Sequence, residues 1–220
     1  MRKLLLLRPE PGLSASVERA RAMGLDVIGC PLFRVQPVDW VAPEPAAYDA
    51  LILTSANAIR HGGMGLTGLK TLPVHAVGEA TAAAARDAGF HVESVGSTGV
   101  TDLLASLPAS FKLLHLAGED RIAPEAAQEI ATLIVYRSAP IEMPGLPLLD
   151  DLVVAVHSAR AGARLSDIAD HRASTAIAAI SRAAAEACGS GWERVEVSDR
   201  PDDSRLLALA AMLCHTSPPA

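Results

Sequence analysis

The sequence has few aromatic residues and no excess of positive charge. Aromatic side chains make up 3% of its 220 residues, and 25 acidic residues outnumber 19 basic ones, so that the formal net charge is -6. Proteins whose main partner is nucleic acid or an anionic membrane usually present a basic surface. We therefore expect neither partner, and any site for an anion must be formed locally.

Paired cysteines and long apolar segments are also missing. Cys30, Cys188 and Cys214 show no CxxC spacing, which is typical of reduced thiols in a cytoplasmic protein. The opening, MRKLLLLRPEPG, contains only four consecutive apolar residues, fewer than a signal peptide needs. No run approaches the roughly 18 apolar residues that suggest a membrane helix. We expect a cytoplasmic protein that does not span a membrane.

Several motifs of cofactor and nucleophile chemistry are absent. The sequence contains no GxGxxG, no GxxxxGK[ST] and no GxSxG, which are the marks of dinucleotide, nucleoside-triphosphate and serine-hydrolase sites. Its seven histidines are scattered without metal-ligand spacing,. His115 and His157 lie at strand ends that face a possible cleft, and a structural role is expected for both rather than proton transfer. We expect no cofactor and no metal.

Short apolar runs alternate with helix-like segments along the chain. This alternation predicts an α/β protein with parallel sheets covered on both faces. The predicted strands are Leu4–Leu7, Asp26–Cys30, Ala50–Thr54, Val74–Val77, His91–Val95, Leu113–Leu116 and Val153–Val156. The predicted helices are Ser14–Met23, Asn57–His61, Ala80–Ala88, Thr101–Leu107 and Pro124–Ile130.

The second half of the chain repeats the first. The segment 151–160 resembles 49–57, and 176–184 resembles 74–81, so Ser158 matches Ser55 and Ser181 matches Gly78. Ser55 and Gly78 are 23 positions apart, and so are Ser158 and Ser181. Such constant spacing indicates two similar α/β lobes.

Two strand-like segments pass from one half to the other, and they predict the domain organisation. If 33–41 and 131–143 pair as a two-stranded connector, the first lobe comprises 1–32 with 144–220, and the second comprises 42–130. Two lobes on a two-stranded connector would leave a cleft, where ligands usually bind.

Small polar residues follow many of the predicted strands, as in the stretch LILTSANAIRHG. Ligands of open α/β sheets bind at the carboxyl ends of strands, and helix N-termini there favour anions. The candidates for an anion site are Arg8, Ser55, Asn57, Gly78, Thr81, Gly118, Ser158 and Ser181. Each serine or asparagine, taken alone, is also a common helix cap. Tyr136, on a connector segment, is either a cleft residue or a packing residue.

Several segments together resemble the uroporphyrinogen-III synthase family, in its order and spacing. They are LLLLRPEPG, YDALILTSANAIR, LPVHAVGEATAAAARDAGFHVESVG, TDLLASL, KLLHLAGEDR and ATLIVYRS. The resemblance covers nearly the whole chain. It implies two flavodoxin-like lobes joined by a two-stranded β connector, the first lobe being discontinuous.

The resemblance also implies a reaction and a set of site residues. The family cyclises hydroxymethylbilane, a linear tetrapyrrole with eight carboxylates, to uroporphyrinogen III in heme biosynthesis, with inversion of ring D, loss of water and no cofactor. Tyr136 matches the tyrosine of the family's connector strand and is the candidate proton donor. Thr81 matches the threonine of the AVGxxT-type turn and is the candidate carboxylate contact. The protein is expected to be a monomeric hydro-lyase.

The sequence departs from the family pattern in the second repeat. Ala184 stands where a threonine is expected, and Arg182 is a candidate replacement charge. Three alternatives follow from the residues: a two-lobed cytosolic binding protein for a small anion, a family member that has lost activity, and a nucleotide-binding protein.

Overall fold

The computed structural model describes residues 1–121, 123 and 125–216. Eleven strands form two sheets within this part of the chain. The strands are β1 (Lys3–Leu6), β2 (Val27–Gly29), β3 (Phe33–Pro37), β4 (Ala50–Leu53), β5 (Val74–Val77), β6 (Val92–Gly96), β7 (Lys112–Gly118), β8 (Glu129–Pro140), β9 (Leu152–Val156), β10 (Ala176–Ala179) and β11 (Arg194–Val197).

Seven α-helices connect these strands within the described residues. They are α1 (Gly12–Ala22), α2 (Ala56–His61), α3 (Glu79–Asp87), α4 (Val100–Ala105), α5 (Ala159–Ile168), α6 (Arg182–Ala187) and α7 (Asp203–His215). Short 3₁₀ segments lie at Pro45–Ala47, Gly63–Thr71 and Arg172–Ser174. None of the helices in the described part of the chain is long and apolar enough to cross a membrane.

The chain divides into two compact units. Unit 1 comprises residues 1–34 with 140–220, and unit 2 comprises 35–139. Strands β3 and β8, which are hydrogen-bonded neighbours, each contain one of the division points. The predicted fold class, α/β with two parallel sheets and a two-stranded connector, is confirmed. The predicted lobe boundaries and the predicted cleft stay predictions.

Unit 1 is built on a sheet with strand order β11-β10-β9-β1-β2, in which all four pairings are parallel. Alternate residues of each strand enter opposite cores: Leu5 packs with α5 and α6 residues, whereas Leu4 packs with α1 and α7 residues. Both faces of the strands are therefore buried, which is why their sequences are apolar runs rather than alternating patterns.

Unit 2 is built on a sheet with order β3-β8-β7-β4-β5-β6. Strand β4 pairs in parallel with both β5 and β7, and β7 pairs in parallel with β8. The core on one face includes α2 and α3, and the smaller core on the other face includes Leu104 of α4. The carboxyl ends of β4, β5 and β7 consequently lie at one edge of this sheet.

One predicted element is wrong. The helix predicted over Pro124–Ile130 is not formed: residues 125–128 are not helical, and residues 129–140 are strand β8. Pro124 lies outside the described residues. The segment after Glu129 is rich in β-branched residues such as Ile130 and Thr132, which favour strands, and pairing with β7 decides the outcome.

A buried ion pair joins the two segments of the chain that form unit 1. The Arg2 guanidinium donates to both carboxylate oxygens of Glu193 (3.1 and 2.7 Å) and to the backbone oxygens of Ser174 (2.6 Å) and Leu152 (3.2 Å). The Arg2 and Glu193 side chains are only 5% and 6% exposed. Arg2 also pairs with the exposed carboxylate of Asp151 (2.9 Å), and Glu193 lies 3.9 Å from the Arg194 guanidinium. The Arg2–Glu193 contact is the closer and more buried one, so it supplies most of the compensation for the Glu193 charge.

Arg2→Met should destabilise the protein by about 3–5 kcal/mol, because the Glu193 carboxylate would remain buried without its closest charged partner,. The double variant Arg2→Met/Glu193→Leu should recover much of that loss. Urea unfolding measures both. The control is Lys3→Met, which breaks an exposed pair with Asp26 at 3.2 Å and should cost less than about 1 kcal/mol. Equal losses for Arg2→Met and Lys3→Met would contradict the prediction.

Candidate functional site

A pocket of about 350 Å³ opens where the strands of unit 2 end. It lies beyond the carboxyl ends of β4 and β7, the position at which open parallel sheets bind ligands. Its lining combines hydroxyl groups, an imidazole, a phenol and charged groups with two valines. The lining residues are Thr54, Ser55, Val77, Val100, His115, Gly118, Asp120, Arg121 and Tyr136.

The register between β4 and β7 brings Thr54 and His115 together. Ile52 pairs with His115, and side chains two positions apart on a strand share a face. Thr54 therefore lies on the same face as His115, one step nearer the strand end. The Thr54 Oγ1 and His115 Nε2 atoms are 3.1 Å apart, a hydrogen-bond distance.

His115 is uncharged at neutral pH. Only 2% of the His115 surface is exposed to solvent. Burial, together with the nearby positive charge of Arg121, lowers the pKa of His115 to about 4. Its Nδ1 atom is buried and has no hydrogen-bond partner among the described residues. The pocket thus contains a neutral imidazole with one nitrogen engaged.

Tyr136 lies directly over Gly118. The β7–β8 pairing shifts between Ala117 and Gly118, so that Gly118 faces Tyr136, and the Glu119 N–H donates to the Tyr136 backbone oxygen (3.0 Å). A Cβ atom at Gly118 would come within 2.6 Å of the phenol ring. The Tyr136 ring also approaches His61, with ring centroids 6.3 Å apart. Glycine is needed here because the ring occupies the space of a side chain.

The three predicted serines are helix caps. Ser55 accepts from the Asn57 N–H (3.2 Å), Ser158 from the Ala161 N–H (3.1 Å) and Ser181 from the Ala184 N–H (3.3 Å). A capping serine accepts through its oxygen and keeps its own O–H for donation. Capping is therefore compatible with a contact to a carboxylate, which stays a prediction. The Asn57 side chain accepts from Arg60 (3.4 Å).

Gly78 and Thr81 lie at the start of α3 and outside the pocket lining described above. Gly78 has φ of 80°, a conformation that favours glycine,. Thr81 is 5% exposed, and Ala184, at the matching position of unit 1, is 0% exposed. Ala184 lacks the hydroxyl of a threonine, but the start of α6 is well packed because Ala184 is buried. Arg182, at the same helix start, is exposed. The ligand contacts predicted for Gly78 and Thr81 stay predictions.

Arg8 belongs to a charged cluster at the strand ends of unit 1. Asp203, the first residue of α7, accepts from Arg8 (2.9 Å), Ser16 (2.7 Å) and Arg19 (2.9 Å), and its carboxylate lies 2.7 Å from His157 Nε2. Burial alone would raise the pKa of Asp203, but the hydrogen bonds from Ser16, His157 and Arg19 lower it to about 2. Arg8 is thus already paired, and its predicted ligand contact stays a prediction.

Some of these groupings were not evident in the sequence. The Thr54–His115 contact joins residues from separate strands, and Arg121, the last residue of the segment KLLHLAGEDR, was not predicted to lie in the site. The Asp203 cluster joins Arg8 to a helix at the other end of the chain. Of the residues predicted for the site, Ser55, Gly118 and Tyr136 meet in the unit 2 pocket. In the described ranges, no three metal-ligating side chains cluster.

Comparison with known proteins identifies one family. The profile described as "Uroporphyrinogen-III synthase HemD" matches residues 14–208. A curated protein of Archaeoglobus fulgidus, provisionally assigned as a uroporphyrinogen-III synthase, is 38% identical over 80 residues, which are 36% of this chain and 33% of that protein. The match therefore spans about a third of the curated relative's length.

Solved structures show the same fold. The Helicobacter pylori uroporphyrinogen-III synthetase superposes with a TM-score of 0.68 at 17% identity, covering 97% of this chain and 100% of that one. A mutant Thermus thermophilus uroporphyrinogen III synthase gives a TM-score of 0.50 at 19% identity, covering 97% and 99%. At this level of identity the likeness establishes the fold.

Gly118→Ala should displace the Tyr136 ring and destabilise the protein by about 1–3 kcal/mol, since the added Cβ has no room. Gly68→Ala is the matched control, because a Cβ there meets nothing within 4 Å. Urea unfolding gives the stabilities, and the aromatic NMR signals of Tyr136 report its position. An unchanged Tyr136 spectrum in Gly118→Ala would contradict the packing described above.

His115 should make the protein acid-sensitive between pH 6.5 and pH 4. Its pKa is about 4 in the folded chain against a usual 6.5, so the unfolded chain binds the extra proton first, and stability falls as pH falls through this window. Between these two pH values, the free energy of unfolding of the wild type should fall by up to about 3 kcal/mol more than that of His115→Gln. Urea unfolding at several pH values tests this, because all other titrating groups are common to both proteins. Parallel stability curves would rule it out.

Proposed function

Because the chain belongs to the uroporphyrinogen-III synthase family, we propose that it cyclises hydroxymethylbilane to uroporphyrinogen III, as a hydro-lyase. The observation that carries the proposal is the family match over residues 14–208. The unit 2 pocket supports it, because hydroxyl donors, a phenol and Arg121 line one opening at the strand ends. A monomeric state and a cytoplasmic location belong to the same proposal.

The reaction has two requirements that the protein must meet. The substrate's hydroxyl must leave as water, which yields an electrophilic azafulvene on ring A, and ring D must then attack through its substituted carbon. Closure without enzyme gives the type I isomer, so the main task is positioning. A proton delivered to the leaving hydroxyl speeds its departure.

Tyr136 is the proposed proton donor. It lines the pocket, and the contact with Gly118 fixes the plane of its ring. A phenol at this position can donate its proton to a leaving hydroxyl in the pocket.

The carboxylates of the substrate require several donors of modest strength. We assign this role to Ser55, Asn57, Gly78, Thr81 and Gly118 in unit 2, and to Arg8, Ser158 and Ser181 in unit 1. Contacts with helix N-termini contribute roughly 0.3–1 kcal/mol each, and more where they are partly buried. Eight carboxylates can therefore be held by many neutral groups despite the protein's net charge of -6.

The test is a coupled assay with freshly generated hydroxymethylbilane, in which the oxidised type I and type III isomers are separated by chromatography. We expect a dominant type III product. Type I alone, at the spontaneous rate, would reject the synthase function and would favour a binding protein for a small anion. No observation on the described residues favours that alternative at present.

Tyr136→Phe should lower kcat about 100-fold, because it removes the proton donor while keeping the ring over Gly118. KM should change by only a few fold. Tyr48→Phe is the matched control, since Tyr48 is the other of the two tyrosines and packs against the unit 2 core. A Tyr136→Phe variant with the wild-type kcat would show that another group, or water, supplies the proton.

A further inference from the structure

We infer that His115 is a positioning residue that makes the Thr54 hydroxyl a hydrogen-bond donor into the unit 2 pocket, where it binds a carboxylate of the ligand. This inference rests on the proposed function and assigns one carboxylate position within it. It stands on the Thr54–His115 contact, on the environment of the two imidazole nitrogens and on the lining of the pocket.

The first step concerns which imidazole nitrogen carries the proton. A neutral imidazole has one N–H and one bare nitrogen. Nε2 faces the Thr54 hydroxyl at 3.1 Å, whereas Nδ1 is buried without a partner among the described residues. An N–H buried without an acceptor is rare and costly, and an unpaired acceptor is tolerated more often. The proton therefore belongs on Nε2.

The second step concerns the direction of the Thr54 hydroxyl. If Nε2–H donates to Thr54 Oγ1, the hydroxyl hydrogen of Thr54 cannot point back at the ring. Thr54 is half-buried, and it lines the pocket together with His115. Its O–H is then directed at whatever occupies the pocket, and a group that accepts hydrogen bonds is favoured there over one that donates them.

The third step concerns the neighbours of Thr54. Ser55 accepts from the Asn57 N–H at 3.2 Å and so keeps its own O–H for donation. Arg121 adds a guanidinium at the same pocket, while Asp120 contributes a carboxylate that opposes anions. Arg121 also donates to the Glu119 backbone oxygen (3.4 Å), so the two adjacent hydroxyls are the main donors. Together they suit a single carboxylate, which accepts hydrogen bonds through both oxygens.

The first measurement determines the tautomer. Long-range ¹H–¹⁵N NMR spectra of the full chain at pH 7 distinguish a protonated Nε2 from a protonated Nδ1. We expect His115 to be protonated at Nε2, and a protonated Nδ1 would overturn the inference. This result does not depend on catalysis, so it stands whether or not the protein is a synthase.

The second measurement is kinetic. Thr54→Val removes the donor at nearly constant shape and should raise KM for hydroxymethylbilane about tenfold to a hundredfold with kcat changed only a few fold. Thr54→Ser keeps the hydroxyl and should stay close to the wild type. His115→Gln should raise KM less than His115→Met does, because the glutamine amide can still donate to Thr54. When Thr54→Val is already present, the two His115 variants should have the same KM. An unchanged KM in Thr54→Val would overturn the inference.

The third measurement separates this inference from the proposed function. If the assay yields no type III isomer, propionate and the neutral propionamide are titrated into the labelled protein. Propionate should shift the backbone amide signals of Thr54 and Ser55, and propionamide should leave them in place. Equal responses to the two probes would reject a carboxylate site, whereas a response to propionate alone would keep it despite the failure of the synthase assay.

Discussion

The parallel pairing of β4 with β7 is the constraint on which the candidate site depends. Both strands are buried along most of their length, and His115 is the one polar side chain in the buried part of β7. Their register places His115 opposite Ile52. The next residue on that face is Thr54, which is also the first polar residue after β4. A shift of one residue would turn His115 to the other face of the sheet and separate the pair.

A second constraint is the close approach of Tyr136 to Gly118. The irregularity between Ala117 and Gly118 lets β8 bring a tyrosine over a position that has no side chain. Together the two constraints place a neutral imidazole, two hydroxyls and a phenol around one opening. Burial keeps the imidazole uncharged, so this chemistry is set by local packing and not by the overall charge of the protein.

The sequence predicts the fold better than it predicts the site. Buried parallel strands such as Ala50–Leu53 are short apolar runs followed by small polar residues, here Thr54 and Ser55, a pattern set by local chemistry. The helix predicted over Pro124–Ile130 failed because strand pairing with β7, a non-local interaction, outweighs the local pattern. The Thr54–His115 contact depends on the same kind of register, which no local motif encodes. Ser55, Gly118 and Tyr136 could be anticipated because each follows or lies on a strand of recognisable pattern.

The strand ends of the two units use their polar groups differently. In unit 1, Arg8, Arg19 and His157 converge on Asp203, whose carboxylate at the start of α7 also interacts favourably with the helix dipole. An anion that recruited Arg8 would have to compete with this carboxylate, which the same hydrogen bonds keep ionised. In unit 2, the hydroxyls of Thr54 and Ser55 retain a hydrogen to donate while they accept from within the protein. A polycarboxylate should therefore gain more from the neutral donors of unit 2 than from the paired cations of unit 1.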